Sequence, residues 1–278
     1  MVELTRGRLS LRVASGTEIG RRYQANFDAL YVAPDRPFVV VADGMGGGEG
    51  SAVASRTTVE VFSALAAPDP AALRRAVAEA QRRVRAEGDR LGELTGCTLT
   101  ALLAGDAEDA WLVQVGDSRA YRLRDGLLEL LTSDHTAAWL GAVYGWYAPG
   151  SRQAAAARYR LHRYIGHPAA PEPDVLNVSL RPGDVYCVCT DGIADQVGYQ
   201  LLQRSLAQAP EQAVRSLLAA ADAAGGRDNA TTAVLAVGRA APASGSLADL
   251  PPPTATGAWD RCDSADVVAE LREERLSD

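Results

Sequence analysis

Four aspartates stand where apolar segments meet short, glycine-containing turns, so their carboxylates could share one site. They are Asp43, Asp117, Asp191 and Asp228. Apolar runs of β-branched residues bounded by glycine are typical of buried strands, and residues 39–41 form such a run just before Asp43. A single acidic residue at a strand end can cap a helix or hold a cation. If all four converge, their repulsion requires cations, and an all-oxygen site favours Mg²⁺ or Mn²⁺ over zinc.

Seven short motifs occur in an order that matches a known enzyme family. They are Asn26-Phe27-Asp28, Ala42-Asp43-Gly44-Met45-Gly46-Gly47, Gly96-Cys97-Thr98, Gly116-Asp117-Ser118-Arg119-Ala120-Tyr121, Leu131-Thr132-Ser133-Asp134-His135-Thr136, Thr190-Asp191-Gly192 and Asp228-Asn229-Ala230-Thr231. Each motif alone is unspecific. The ordered set, over roughly residues 7–240, resembles the metal-dependent Ser/Thr protein phosphatases of the PP2C type, and the second motif resembles their bacterial branch.

The resemblance implies a binuclear Mg²⁺ or Mn²⁺ centre. Asp43 would bridge the two ions, the Gly44 carbonyl would help to bind the first, and Asp191 and Asp228 would complete the second. Asp117 would belong to a third, weaker metal position. The expected reaction is attack of a metal-bound hydroxide on phosphoserine or phosphothreonine, because such a site makes hydroxide available near neutral pH and neutralises phosphoryl charge. Asp43, Asp191 and Asp228 are therefore the predicted catalytic residues.

The residues expected to bind the substrate phosphate depart from the family pattern. The family usually has Arg five residues before the aspartate at Asp28 and Glu directly before it, whereas this chain has Tyr23 and Phe27 there. Arg21 or Arg22 could replace that arginine by reaching round, and both are predicted to bind phosphate. Without a replacement, a contact worth roughly 1.5–3 kcal/mol would be lost. The resemblance assigns Asp28 a hydrogen bond to a metal-bound water.

Three functions remain open from the sequence. The first is a protein Ser/Thr phosphatase that signals in the bacterial cytoplasm and acts on the phosphorylated targets of a bacterial Ser/Thr kinase. The second is a weak or inactive pseudophosphatase that binds phosphoproteins, which the altered positions Tyr23 and Phe27 motivate. A pure binding module, however, has no need of three mutually repelling carboxylates. The third is a metal-dependent hydrolase of small phosphoesters.

Periodicity indicates an α/β (α+β) fold. Strands are predicted over 9–15, 29–33, 39–42, 97–104, 110–115, 119–123, 127–131, 175–180, 185–190 and 233–237. Helices are predicted over 50–67, 70–88, 199–207 and 211–224, the second capped by Asp69 before Pro70. The strands over 97–131 suggest one antiparallel meander, and those over 175–190 a hairpin. The resemblance to the PP2C type implies a four-layer αββα sandwich with two central antiparallel sheets flanked by helices.

Composition limits the remaining possibilities. With 278 residues, 47% of them hydrophobic, the chain can bury a large core in one domain, expected over residues 1–238. The resemblance implies a variable flap at 136–172 within it. Residues 239–265 predict a linker and 266–278 a short helix. The net charge of −7 argues against nucleic acid as a partner, and no apolar run suits a membrane helix or signal peptide. Four cysteines without zinc or redox spacing favour a reducing, cytoplasmic setting.

Overall fold

The computed structural model describes residues 1–105, 108–148 and 150–240, which form strands and helices in close agreement with the predicted order. The strands are β1 Val2–Arg6, β2 Leu9–Glu18, β3 Ala29–Val32, β4 Phe38–Ala42, β5 Leu99–Ala104, β6 Asp109–Val115, β7 Arg119–Arg124, β8 Leu127–Leu130, β9 Asp174–Ser179, β10 Val185–Cys189 and β11 Ala230–Arg239. The helices are α1 Glu49–Leu65, α2 Pro70–Leu91, α3 Ala137–Val143, α4 Arg152–Ala157, α5 Asp191–Ala194, α6 Tyr199–Leu206 and α7 Pro210–Ala223. Strand β1 and helices α3, α4 and α5 were not predicted.

The strands form two antiparallel sheets with helices on their outer faces, which confirms the predicted sandwich. One sheet has the order β1-β2-β11-β10-β7-β8 and the other β3-β4-β5-β6-β9. Every residue of β4 is buried because one face meets the other sheet and the other meets α1 and α2. Residues packed between the sheets include Leu11, Val39, Val41, Leu102, Leu112, Tyr186, Val188 and Leu235. Helices α6 and α7 cover the remaining face.

The meander predicted over residues 97–131 is wrong, because the chain changes sheets between β6 and β7. Gly116 has φ +106°, a left-handed conformation that favours glycine, and it redirects the chain there. The buried Gln114 side chain donates to the carbonyls of Gly116 and Ser118 at 2.9 and 2.7 Å, so it helps to hold the backbone of this turn. The crossing leaves Asp117 at the ends of both sheets.

The hairpin predicted over 175–190 is also wrong, because β9 pairs with β6 while β10 lies between β11 and β7. Asp184 holds the turn that crosses between the sheets. Its carboxylate, only 2% exposed, accepts two hydrogen bonds from Arg124 at 2.7 Å and one from the Arg181 amide at 2.8 Å. Tyr186 donates to the Ser179 carbonyl and so ties the end of β9 to β10.

Asp184→Ala is expected to lower the free energy of unfolding by about 3 kcal/mol, because it removes the buried carboxylate that pairs with the largely covered Arg124 guanidinium and accepts from the Arg181 amide. Asp222→Ala is the matched control. It removes an Asp–Arg pair with Arg21 that is more than half exposed, and the expected loss is below about 1 kcal/mol. Urea unfolding followed by circular dichroism measures both. Equal losses in the two variants would contradict the anchoring role of Asp184.

The remaining predicted segments are placed as follows. Helix α2 begins as predicted, with the Asp69 side chain accepting a hydrogen bond from the Ala72 amide at 2.7 Å. The predicted flap contains α3 and α4. The linker from residue 241 onward and the helix predicted over 266–278 lie outside the described residues. Among the helices of the described chain, none combines the length and apolarity needed to cross a bilayer.

Candidate metal centre

All four aspartates predicted as metal ligands border one cavity of about 310 Å³. Strands β4 and β6 run parallel on either side of β5, so both end at the same edge of their sheet. In the other sheet, β10 ends beside the start of β11. The cavity lies where these strands meet, and its lining residues are Arg22, Tyr23, Asp43, Gly44, Met45, Gly46, Thr98, Asp117, Tyr159, Leu161, Asp191 and Asp228.

Asp43 and Gly44 are fixed by backbone contacts on both sides. The Asp43 amide donates to the Thr98 hydroxyl, and the Thr98 amide donates back to the Asp43 carbonyl, each at 2.9 Å. At Gly44, an added Cβ would lie 2.4 Å from the Ser51 carbonyl oxygen and 2.7 Å from that of Phe27. Only glycine fits this close approach, which explains why the aspartate is followed directly by glycine.

A buried polar network positions Asp117. Ser118 and Thr98 share a hydrogen bond of 2.6 Å between their hydroxyls, which links the Asp117 turn to the backbone of Asp43. On the other side, the Gly116 amide donates to His135 Nδ1 at 3.1 Å. With Nδ1 accepting, the neutral ring carries its proton on Nε2, which faces Asp174 Oδ2 at 3.1 Å.

Asp28 lies beside the cavity and has one oxygen without a partner. Its Oδ2 accepts hydrogen bonds from the hydroxyls of Thr190 and Thr231 at 2.9 and 2.6 Å, whereas its Oδ1 is buried and accepts none. Asp191 follows Thr190 at the start of α5, and its Oδ1 is likewise buried and unpaired. These two oxygens are available for a ligand that the protein does not supply itself.

Asn229 fastens the loop that precedes β3 to the start of β11. Its amide donates to the carbonyls of Ile19 and Ala25 at 2.5 and 3.2 Å, and its side-chain oxygen accepts from the Phe27 amide at 2.8 Å. The loop therefore lies against Asp228 although it is some 200 positions away in the chain. Sequence reasoning did not assign this role to Asn229, and its position directly after Asp228 was the available signal.

Burial and mutual repulsion raise the pKa of the five carboxyl groups around the cavity. Burial contributes most, and neighbouring carboxylates add to it for Asp28, Asp43, Asp117 and Asp191. The pKa of Asp28 is raised to about 7 and that of Asp191 to about 6, while those of Asp43 and Asp117 lie well above their usual range. Asp228, less buried, has a raised pKa as well. A side-chain hydrogen bond between Asp43 and Asp191 adds to the raised pKa of Asp43 and offsets part of the rise in the pKa of Asp191.

These donor atoms fit a hard divalent cation. The cavity lining contains carboxylates and the Gly44 backbone but no imidazole or thiol. A buried carboxylate oxygen without a partner is costly, and a cation beside Asp191 would satisfy it. Within the described ranges, no three Asp, Glu, His or Cys side chains form a preformed coordination cluster. Two ions that each use one or two carboxylates, carbonyl oxygen and water need no such cluster.

A comparison with protein families decides the classification. The model of the family described as protein phosphatase 2C matches residues 16–223 of this chain, which is well over half of its length. The chain belongs to the protein phosphatase 2C family. Its relatives include the serine/threonine protein phosphatase PstP of Mycobacterium tuberculosis, 32% identical over 244 residues that cover 83% of this chain and 46% of PstP. The chain thus spans about half the length of that relative.

Other members of the phosphatase 2C family agree in sequence and in fold. The serine/threonine phosphatase stp of Listeria monocytogenes is 27% identical over 71% of this chain and 83% of its own. A solved structure of the catalytic domain of PstP, in complex with two manganese ions, superposes with a TM-score of 0.73 at 32% identity, covering 83% of this chain and 99% of that one. The two-sheet architecture is therefore that of the family.

The two arginines that were predicted to bind phosphate in place of the family's arginine lie in different surroundings. Arg22 lines the carboxylate cavity, and its charge lies close enough to Asp228 to offset part of the rise in pKa that burial of that carboxyl group causes. Arg21 points elsewhere: its guanidinium makes two hydrogen bonds to Asp222, at 2.7 and 2.6 Å. It borders a different cavity of about 520 Å³, to which Asp228 also contributes. Arg22 therefore remains the candidate for binding the substrate phosphate.

The flap contributes Tyr159 and Leu161 to the cavity, and neither was predicted as a site residue. Arg158 in the flap donates to Asp195 at 2.8 Å, and Arg163 donates to Asp174 at 2.8 Å, so the flap is held at two points. Its irregular sequence gave no periodic signal for these contacts. Tyr159 is 76% exposed, so it stands at the mouth of the cavity rather than within its floor.

Proposed function

We propose that this chain is a protein Ser/Thr phosphatase that hydrolyses phosphoserine and phosphothreonine with two Mg²⁺ or Mn²⁺ ions. The convergence of Asp43, Asp117, Asp191 and Asp228 on one cavity carries the proposal. A protein gains nothing in stability from gathering carboxylates whose burial and mutual repulsion disfavour their ionised forms. Family membership and the manganese complex of PstP support the same reaction.

Each residue has a distinct part in this proposal. The ions, when bound, would supply an activated water as nucleophile and neutralise charge on the phosphoryl group. Asp43 would help to hold both ions, the Gly44 carbonyl would help to hold the first, and Asp191 and Asp228 would complete the second position. The free Oδ1 of Asp28 would orient a water by accepting its hydrogen bond. Asp117 would hold a third, weaker position.

The substrates we propose are phosphorylated proteins, such as the targets of a bacterial Ser/Thr kinase in a cytoplasmic signalling pathway. The cavity opens beside a flap with exposed aromatic side chains, including Tyr159, which suits a polypeptide better than a small phosphoester. Residues 1–238 would form the phosphatase domain. The proposed domain includes every candidate ligand.

The decisive experiment measures phosphate release from a phosphothreonine peptide with Mn²⁺, with Mg²⁺ and with EDTA. The proposal requires turnover that depends on metal and that exceeds turnover of a phosphotyrosine peptide, a nucleotide and a sugar phosphate. Preference for the small phosphoesters would replace the proposal by the third function considered above. A folded, metal-binding protein without turnover would support the pseudophosphatase, which the aromatic residue Tyr23 in the cavity favours.

Arg22→Ala is expected to raise the KM for a phosphopeptide by roughly 10- to 100-fold, because it removes a charge-assisted contact to the phosphate worth about 1.5–3 kcal/mol. Arg21→Ala is the matched comparison, since the neighbouring guanidinium is paired with Asp222 outside the cavity. Its effect on KM is expected to stay below about threefold, within the range of an exposed ion pair. Steady-state kinetics with both variants measures the difference, and a larger effect at Arg21 would reverse the assignment.

A further inference from the structure

The side chains of Arg22 and Tyr23 are joined in a contact that the family pattern does not contain. The guanidinium carbon of Arg22 lies 5.5 Å from the centre of the Tyr23 ring, within the range of a cation–π interaction. Both residues line the carboxylate cavity. In the described chain, no hydrogen bond or ion pair to another residue holds the Arg22 guanidinium, so its five N–H donors remain available for an anion.

The Tyr23 ring is itself held in place from other directions. Phe27 meets it edge to face, with the ring centres 5.5 Å apart and the planes at 90°. Gly47 lies beneath its edge, where an added Cβ would come within 3.4 Å of the ring. Phe27 is in turn fixed through its amide by Asn229. The two aromatic residues that replace the family's Arg and Glu therefore form one rigid unit.

We propose that Tyr23 is a positioning residue whose ring holds the Arg22 guanidinium toward the substrate phosphate, so that the pair replaces the single arginine of the family pattern. The inference rests on the proposed function, because it names how the same cavity recognises its phosphate. Phe27 supports the ring, and the Arg and Glu of the family pattern are exchanged together for an aromatic platform. A flexible arginine presented this way loses less conformational freedom when it binds an anion.

The ring of Tyr23, rather than its hydroxyl, holds the Arg22 guanidinium in position. The ring face carries the contact with Arg22, and the ring also makes the contacts with Phe27 and Gly47. Burial and the carboxylates of Asp228, Asp43 and Asp191 raise the pKa of the phenol, so the side chain stays neutral across the working range of the enzyme. Tyr23→Phe retains the ring and should bind phosphate like the wild type. If the hydroxyl were required, Tyr23→Phe would behave like Tyr23→Ala.

The test is a double-mutant cycle on the full chain with inorganic phosphate as the probe. Isothermal titration calorimetry in Mn²⁺ gives the Kd of phosphate for the wild type, Tyr23→Ala, Tyr23→Phe, Arg22→Ala and the two double variants. Arg204→Ala, an arginine on α6 outside the cavity, is the control for general loss of charge. Thermal melts followed by circular dichroism verify that each variant is folded, and phosphopeptide kinetics give KM and kcat separately.

We expect Tyr23→Ala to weaken phosphate binding about two- to fivefold and to raise KM by a similar factor with little change in kcat. In the Arg22→Ala background the same substitution should have almost no effect, because the ring then has no guanidinium to hold. Arg22→Ala should weaken phosphate binding by the same factor in the Tyr23→Phe protein as in the wild type. Additive losses would overturn the inference, as would a Tyr23→Phe protein that behaves like Tyr23→Ala.

The readouts distinguish this inference from the proposed function. If the effects of Arg22 and Tyr23 on phosphate binding are coupled but no phosphopeptide is turned over, the Arg22–Tyr23 pair is supported and the phosphatase is refuted. Turnover with independent effects of Arg22 and Tyr23 would retain the phosphatase and refute the pair. Absence of phosphate binding by the folded wild type in Mn²⁺ would refute the pair directly.

Discussion

Asp43→Asn is expected to lower metal-dependent hydrolysis of a phosphothreonine peptide by about a thousandfold or more. The substitution keeps the size of the side chain but removes the charge that would bridge two ions, and metal stabilisation of the transition state is worth several kcal/mol. The Thr98 contacts that position this residue go through its backbone, so they survive the change. Phosphate release and Mn²⁺ titration by calorimetry, with the same preparation, measure the loss.

The control for this experiment is Asp89→Asn on helix α2, which makes the same chemical change outside the cavity. Its turnover and Mn²⁺ affinity should equal those of the wild type. Asp191→Ala should match the loss at Asp43, since the two carboxyl groups share one hydrogen bond and would share an ion. An Asp43→Asn protein that keeps more than a tenth of wild-type turnover would remove Asp43 from the proposed centre.

The metal-free protein is expected to lose stability as the pH rises from about 4 to about 7, with a total change on the order of 3 kcal/mol or more. In the unfolded chain, the carboxyl groups of Asp28 and Asp191 titrate near 3.8; in the folded protein burial raises their pKa to about 7 and about 6. Between these values the folded state binds more protons than the unfolded state. Raising the pH therefore favours unfolding until the folded groups have ionised.

Saturating Mn²⁺ should remove or reverse this dependence, because the cations favour the ionised carboxylates that the empty site disfavours. Urea unfolding at pH 4.5, 6 and 7.5, with EDTA and with Mn²⁺, measures the two profiles. In the metal-free protein, Asp43→Asn should be at least as stable as the wild type at pH 7.5, since it takes one carboxylate out of the cluster. A metal-free protein whose stability rises over this range would contradict the buried, repelling arrangement.

Much of the candidate site was predictable because its parts are local. Each aspartate lies next to an apolar strand and a glycine. The order of these motifs resembles the PP2C type, and that resemblance implied the two-sheet fold. What the sequence did not indicate is where the chain changes sheets. The segment at Gly116 and the turn at Asp184 have the local composition of hairpin connections, and the crossings depend on buried partners, Gln114 and Arg124, whose roles appear only after folding.

The choice between Arg21 and Arg22 also depends on partners that only folding brings together. The two residues are neighbours with identical side chains, so no sequence pattern distinguishes them. Asp222, on a helix 201 positions away, pairs with the first and leaves the second facing the cavity. Tyr159 and Leu161 escaped prediction for a related reason, because the flap is placed by single contacts such as that of Arg158 with Asp195.

The pairing of β2 with β11 has a consequence for how this protein is made. Residues 9–18 align with 230–239 along their whole length, and Asn229 fastens the loop that carries Arg22. A ribosome will have synthesised nine-tenths of the first 240 residues before either contact can form. Until then the nascent chain has neither Asp228 nor the contacts that fasten the loop carrying Arg22, so the proposed phosphatase activity would be absent. Contacts of such sequence separation form slowly, so the activity would appear in one late step, with the last strand.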